Sequence, residues 1–145
     1  MHQSMKEALN QFFSAQKRLN QMGVIQSRDY IGDIGRYVCT VMYGLKPAPR
    51  KVGYDGTIGT SRILVRINNC PTGTRVRLEE SAEYDELIVV LAPHSLLRPE
   101  GVEAEFIFYR FTREEVPSRF RNRAGMHIGG KETFAQGYDR VLSLA

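Results

Sequence analysis

Two hydrophobic periods divide the chain. Between Met5 and Met22, apolar residues return at helical spacing (Met5, Leu9, Phe12, Phe13, Leu19, Met22). Ser4 and Glu7 form a capping-box pattern ahead of them, and Gly23 ends the run. This predicts an amphipathic first helix within residues 1–23. A second stripe, Tyr30, Ile31, Ile34, Tyr37, Val38, Val41 and Met42, closes at Gly44. Phe12, Phe13, Tyr30 and Tyr37 are read as core residues on these helices. The period then changes to two. Over residues 62–69, Ile63, Val65 and Ile67 alternate with Leu64, Arg66 and Asn68, which predicts a half-buried strand with one apolar row on a core and a mixed row on the opposite face. Residues 86–92 are apolar with β-branched members and suit a central strand, and residues 104–111 suit an aromatic-rich one.

Breakers place the connections. Residues 46–51, K-P-A-P-R-K, read as an extended basic connector, because each proline lacks a backbone donor and restricts its predecessor. Cys70-Pro71-Thr72-Gly73 interrupts the pattern, and residues 76–78 are a short strand or a loop. Thr112 and Glu115 form a second capping box opening a short helix with Pro117 in it. Residues 119–130 are basic and Gly-containing, predicting a loop or arm, and residues 133–144 a last helix. The order predicts one domain of α+β (α/β-like) class with a single central mixed β-sheet flanked by helices: an N-terminal helix over 1–23, a core over 24–116, and a basic loop and C-terminal helix over 117–145.

Composition narrows the class. A chain of 145 residues can bury a core without disulfides or a structural metal. Cys39 and Cys70 make neither a metal pattern nor a disulfide framework, so free thiols are expected. There is no run of about 18 apolar residues, and the N-terminus lacks the apolar core of a signal peptide, which points to a cytoplasmic protein without a membrane partner. His2, His94 and His127 are scattered and read as surface residues. The stretch D-G-T-I-G-T lacks the Gly-Lys-Ser/Thr ending of a P-loop.

The net charge is +4, and its distribution says more than its size. Residues 46–77 hold seven basic side chains (Lys46, Arg50, Lys51, Arg62, Arg66, Arg75, Arg77) against Asp55 alone. Residues 79–105 hold eight acids against Arg98, and residues 110–131 are basic again through Arg113, Arg119, Arg121 and Arg123. Such segregation suggests a polyanion-facing side and an acidic side facing solvent or a protein partner. Tyr109, beside Arg110, is the better aromatic candidate for a nucleic-acid contact, with a structural role as the plainer alternative.

Candidate chemistry converges on residues 52–69. Asp55 at one strand end, with polar side chains at 66 and 68 on the next strand, allows three groups to meet at one point. The series Gly32-Asp33-Ile34-Gly35-Arg36-Tyr37 on a helix, Gly53-Tyr54-Asp55 at a turn and Val65-Arg66-Ile67-Asn68 on a strand resembles a restriction-endonuclease-like family of prokaryotic and phage-type domains related to the PD-(D/E)XK nucleases. That family carries a G-D-x-G-E-Y-like helix motif, a G-Y-D turn, and Q-x-K or E-x-K on the strand. The resemblance spans about residues 24–116 and implies a restriction-endonuclease-like fold with a magnesium site. Asp33, Gly35, Gly53, Tyr54 and Asp55 match. Arg36 stands where the family has the helix glutamate, Arg66 where it has Gln or Glu, and Asn68 where it has the lysine. Asp55, Arg66 and Asn68 are therefore positional equivalents of catalytic residues only.

Magnesium takes hard oxygen ligands, and an arginine repels it. The same arginines suit a phosphate, which they hold bidentately. The substitutions thus predict a metal site turned into a basic pocket, without cofactor, with Asp55 paired to Arg36 or Arg66. The plainer reading makes Asp55 a turn residue, Arg36 and Arg66 exposed charges, and Asn68 a strand end. Three functions follow. The first is nucleic-acid binding, DNA foremost, without catalysis, through Arg36, Lys46, Arg50, Lys51, Arg62, Arg66, Arg75 and Arg77. The second is a magnesium-dependent endonuclease with migrated ligands: Asp55, Asp33 and Glu79 or Glu80, with Lys51 for the lost lysine. The third is an immunity, inhibitor or regulatory domain docking a protein through the acidic segment 79–105. A homodimer is compatible with each.

Overall fold

The computed structural model describes residues 1–49, 52–73 and 75–145. Among these residues, three helices and nine strands follow in the order α1 (Gln3–Gln21), α2 (Tyr30–Tyr43), β1 (Lys46–Pro47), β2 (Gly56–Ile58), β3 (Ser61–Asn68), β4 (Val76–Glu79), β5 (Glu86–Leu91), β6 (Phe106–Thr112), α3 (Val116–Arg119), β7 (Arg121–Arg123), β8 (Met126–Gly129) and β9 (Arg140–Leu142). The class is α+β. The strands form two sheets, not the single one the sequence predicts: a mixed six-stranded sheet in the order β1-β2-β3-β5-β6-β9, and a three-stranded sheet in the order β4-β8-β7. In the larger sheet β3 and β5 run parallel, with Ile63 opposite Glu86 and Asn68 opposite Leu91, and the other pairs are antiparallel.

The alternation along β3 orders the two cores. Ile63, Val65 and Ile67 face α2, where they pack with Val38, Cys39, Leu45, Ile88, Val90 and Phe108. Leu64 faces the other way, into a cluster with Leu78, Leu87, Val89, Tyr109, Phe111, Val116, Phe120 and Phe134. On that second row Leu64 and Asn68 are buried while Arg62 and Arg66 stay partly exposed, so the strand has one apolar row on a core and a mixed row opposite, as the alternation predicts.

α2 begins at Asp29, whose Oδ1 accepts a hydrogen bond from the Gly32 N–H at 3.0 Å, and ends at Gly44. Gly35 lets it approach β3 closely: a β-carbon there would lie 3.0 Å from the Ile67 side chain. The reciprocal bonds of the second capping box form, with Thr112 N–H donating to Glu115 Oε1 at 3.0 Å and Glu115 N–H to Thr112 Oγ1 at 3.3 Å, but they close a turn at the end of β6; the four-residue α3 starts after it, with Glu115 as its N-cap.

Other expectations are corrected. Ser4 does not cap α1, because the helix already starts at Gln3 after His2. Phe12, Phe13 and Tyr37 are not core residues; they are 53%, 59% and 45% exposed. Pro47 pairs with Gly56 in a two-residue edge strand, where a missing donor faces away from the ladder. The basic segment after α3 is no loose arm. It is the β7–β8 hairpin, turned at Ala124 and Gly125 with φ of 50° and 80°, and zipped to β4. The last helix is replaced by turns and β9, which pairs with β6. Tyr109 is fully buried, and its hydroxyl donates to the Phe134 carbonyl at 2.5 Å, which fixes it as a core residue. No helix among the described residues is long and apolar enough to cross a membrane.

Candidate nucleic-acid interface

The close approach of α2 to β3 brings Arg36 between two carboxylates. Its Nη2 donates to Asp33 Oδ1 at 2.7 Å and its Nη1 to Asp55 Oδ1 at 3.4 Å. Asp55 Oδ2 accepts the Val65 N–H at 2.7 Å, in effect extending the β2–β3 ladder by a side chain. Asp33 is buried, and its Oδ2 accepts the N–H groups of Gln26 and Ser27, at 2.8 and 2.7 Å, and the Ser27 hydroxyl at 3.0 Å. Burial pushes the Asp33 carboxyl up, but the donors of Gln26, Arg36 and Ser27 outweigh it and hold the group below its usual range. Burial works to lower the Arg36 pKa, but Asp33, Asp55 and Asp29 outweigh it and hold the guanidinium above its usual value. The guanidinium occupies the position between Asp33 and Asp55 that a divalent cation would need, so these residues do not fit a magnesium site. Among the described residues, no group of three His, Cys, Asp or Glu side chains is gathered for a metal.

Asp55, Arg66 and Asn68 do not share one concavity. Asp55 lines a cleft of about 590 Å³ with Arg28, Asp33, Arg36 and Tyr54. Arg66 donates to the Val65 carbonyl at 3.0 Å and lines a separate hollow with Glu79 and Glu83. Asn68 is buried and accepts from the Ser95 hydroxyl at 2.6 Å, tying the end of β3 to the loop after β5. The migrated-ligand candidate Glu79 thus lies with Arg66 and not with Asp55. Arg50 and Lys51 lie outside the described residues.

Among the other arginines two groups stand out. Arg62 is clamped to Asp85, and Arg110 to Glu86 at 2.6 Å. Arg98 donates to the carbonyls of Leu91, Ala92, Val102, Ala104 and Glu105. Arg113 donates to those of Glu80, Ala82 and Tyr84. These side chains hold loops and strands together. In segment 79–105 Asp85 and Glu86 pair with arginines and Glu105 accepts the Leu144 N–H, while Glu79, Glu80, Glu83, Glu100 and Glu103 are exposed.

The second group lies on the small sheet. In β4, Val76 and Leu78 turn inward, so Arg77 and Glu79 turn outward. Arg77 is paired in register with Ile128, and Ile128 with Arg121; the next row outward is Glu79, Met126 and Arg123. Register partners share a face, so Arg77, Arg121 and Arg123 project to solvent together around half-buried Met126 and Ile128. Beside them a cavity of about 280 Å³ is lined by Arg75, Arg121, Ile128, Lys131 and Glu132. Among the described residues, no ion pair joins Arg75, Arg77, Arg121 or Arg123 to a carboxylate. Of the residues expected from the sequence, Arg75 and Arg77 belong to this face. Arg121 and Arg123 complete it from another charge block, and their alternate spacing is the one sequence signal for it; Lys131, at its margin, donates to the Leu96 and Arg98 carbonyls. No protein-family model matches the chain, and no curated protein matches it.

Proposed function

We propose that the protein binds nucleic acid, DNA foremost, through the outward face of the β4–β8–β7 sheet and without catalysis. The observation that carries this reading is the convergence of Arg75, Arg77, Arg121 and Arg123 from two distant segments onto one face, with no carboxylate partner among the described residues. Guanidinium groups about one strand spacing apart or more can each meet a backbone phosphate, and phosphate contacts carry affinity with little sequence readout. The scaffold is a nuclease-like one of restriction-endonuclease-like kind in this proposal, with Arg36 locking the former metal site closed. The Asp33–Arg36–Asp55 bridge supports that part.

The test is binding of a short labelled duplex and its single strand at two salt concentrations, with and without magnesium, followed by inspection of the recovered DNA. With about four phosphate contacts, a fourfold rise in salt weakens binding roughly a hundredfold. Arg77→Ala/Arg121→Ala lowers affinity and Arg62→Ala does not. Cleavage that requires magnesium and disappears in Asp55→Ala would instead establish the endonuclease reading. Absence of binding to either strand form would overturn the proposal.

A further inference from the structure

α1 carries a packed helix's sequence in an unpacked setting. None of its 19 residues is buried. Met5, Leu9, Phe12 and Phe13 are 56%, 46%, 53% and 59% exposed. Only its C-terminal end is fastened: Gln16 Nε2 donates to the Tyr30 hydroxyl at 2.6 Å, Asn20 Nδ2 to the Ile25 carbonyl at 3.1 Å, and Leu19 is half-buried. A helix of this length is marginal in water unless an amphipathic face is packed.

We infer that this face is covered by α1 of a second copy of the chain, antiparallel and related by a two-fold axis. Apolar residues occupy successive a and d positions of one heptad register: Met5, Phe12 and Leu19 at a, Ala8, Ala15 and the C-cap residue Met22 at d; Leu9 flanks this seam at e, and Phe13, at b, lies outside it. A parallel, in-register pair stacks Phe12 on Phe12 and leaves voids where Ala8 and Ala15 meet their own copies, which close packing disfavours. An antiparallel pair with its axis between Phe13 and Ser14 sets large against small. Phe12 then meets the second copy's Ala15, Leu19 its Ala8 and Met5 its Met22.

The charges agree with the same register. Glu7, the only acid in α1, lies on the same flank as Arg18. In the antiparallel pair Glu7 is level with the second copy's Asn20, two residues or about 3 Å of rise from its Arg18. Two symmetry-related Glu7–Arg18 pairs therefore flank the seam. The opposite face of α1 is centred on Gln3, Asn10 and Lys17 with Lys6 beside them, two lysines among neutral polar residues, which is short of the dense Lys/Arg charge of a helix built to lie on a lipid surface. At roughly 28 Å long, the helix offers less than the about 800 Å² per partner of a standard interface, so the dimer is reversible and depends on concentration. Dimerisation through α1 is independent of what the arginine face binds.

Sedimentation equilibrium of the full chain tests this. The mass rises from one chain to two with concentration. Ala15→Trp, which fills the slot for Phe12, weakens association at least tenfold. Glu7→Arg and Arg18→Glu each weaken it several-fold, while the double variant, or a mixture of the two single variants, regains it. All three positions are exposed, and circular dichroism confirms that each variant is folded. A monomer at every concentration, an Ala15→Trp dimer as tight as the parent, or a double variant no better than the singles would overturn the inference. So would a chain that stays monomeric in solution but floats with phosphatidylserine vesicles, which would assign α1 to a lipid surface.

Discussion

Arg77 on β4 and Arg121 on β7 stand on either side of Ile128 in one row across the small sheet, two strand spacings apart. That is roughly 10 Å, near the screening length at physiological salt, so each guanidinium is felt by the other and by a polyanion laid across both.

The row predicts a change in salt dependence. Replacing Arg77 and Arg121 together by Ala lowers the slope of log affinity against log salt by about two, one for each phosphate no longer neutralised. Fluorescence anisotropy over a salt series measures it. An unchanged slope would place the phosphate-binding groups elsewhere.

Arg36 is expected to matter for stability and not for binding. Arg36→Met leaves Asp33 and Asp55 facing each other without their bridge. Because the guanidinium is 36% exposed, the cost is that of a partly solvated charged hydrogen bond, about 1–2 kcal/mol. Urea unfolding reads the loss, and anisotropy reads affinity within about twofold of the parent.

The Asp33 contribution has a defined pH window. Its carboxyl is held below its usual range in the folded chain, so its stabilisation is complete above the unfolded value and disappears as pH falls through the folded one. Asp33→Asn is therefore less stable than the parent by about 1 kcal/mol at neutral pH. The deficit shrinks below about pH 4. A deficit constant from neutral to acid pH would remove Asp33 as its source.

Cys39 is expected to be inert in the folded chain. It is buried against β3, and burial, aided by the charge of Asp55, pushes its thiol up to about 12. Iodoacetamide at neutral pH modifies Cys70 first, and Cys39 only at the rate of unfolding. Mass spectrometry of timed digests distinguishes the two sites.

Local sequence was enough for α2, β3, β5, β6 and the Thr112–Glu115 capping box. Each is specified by a period or a side-chain cap acting within about ten residues. The α+β class followed from their order. That Asp55 meets an arginine was legible, but only as a choice between Arg36 and Arg66; the packing of α2 on β3 selects Arg36 and adds Asp33 to the bridge. Tertiary structure alone decided the rest. An apolar period says that a face can be covered, not by what: α1 and α2 have the same kind of stripe, yet only α2 meets a sheet. The hairpin at residues 121–129 has strands of three and four residues, too short to declare themselves until β4 pairs with them. Nor does a sequence distinguish an arginine clamped to a carboxylate, as Arg62 is, from one left facing solvent, as Arg77 is. That difference is set by which strand lies alongside, since ion pairing acts over a few ångströms in space and is blind to distance along the chain.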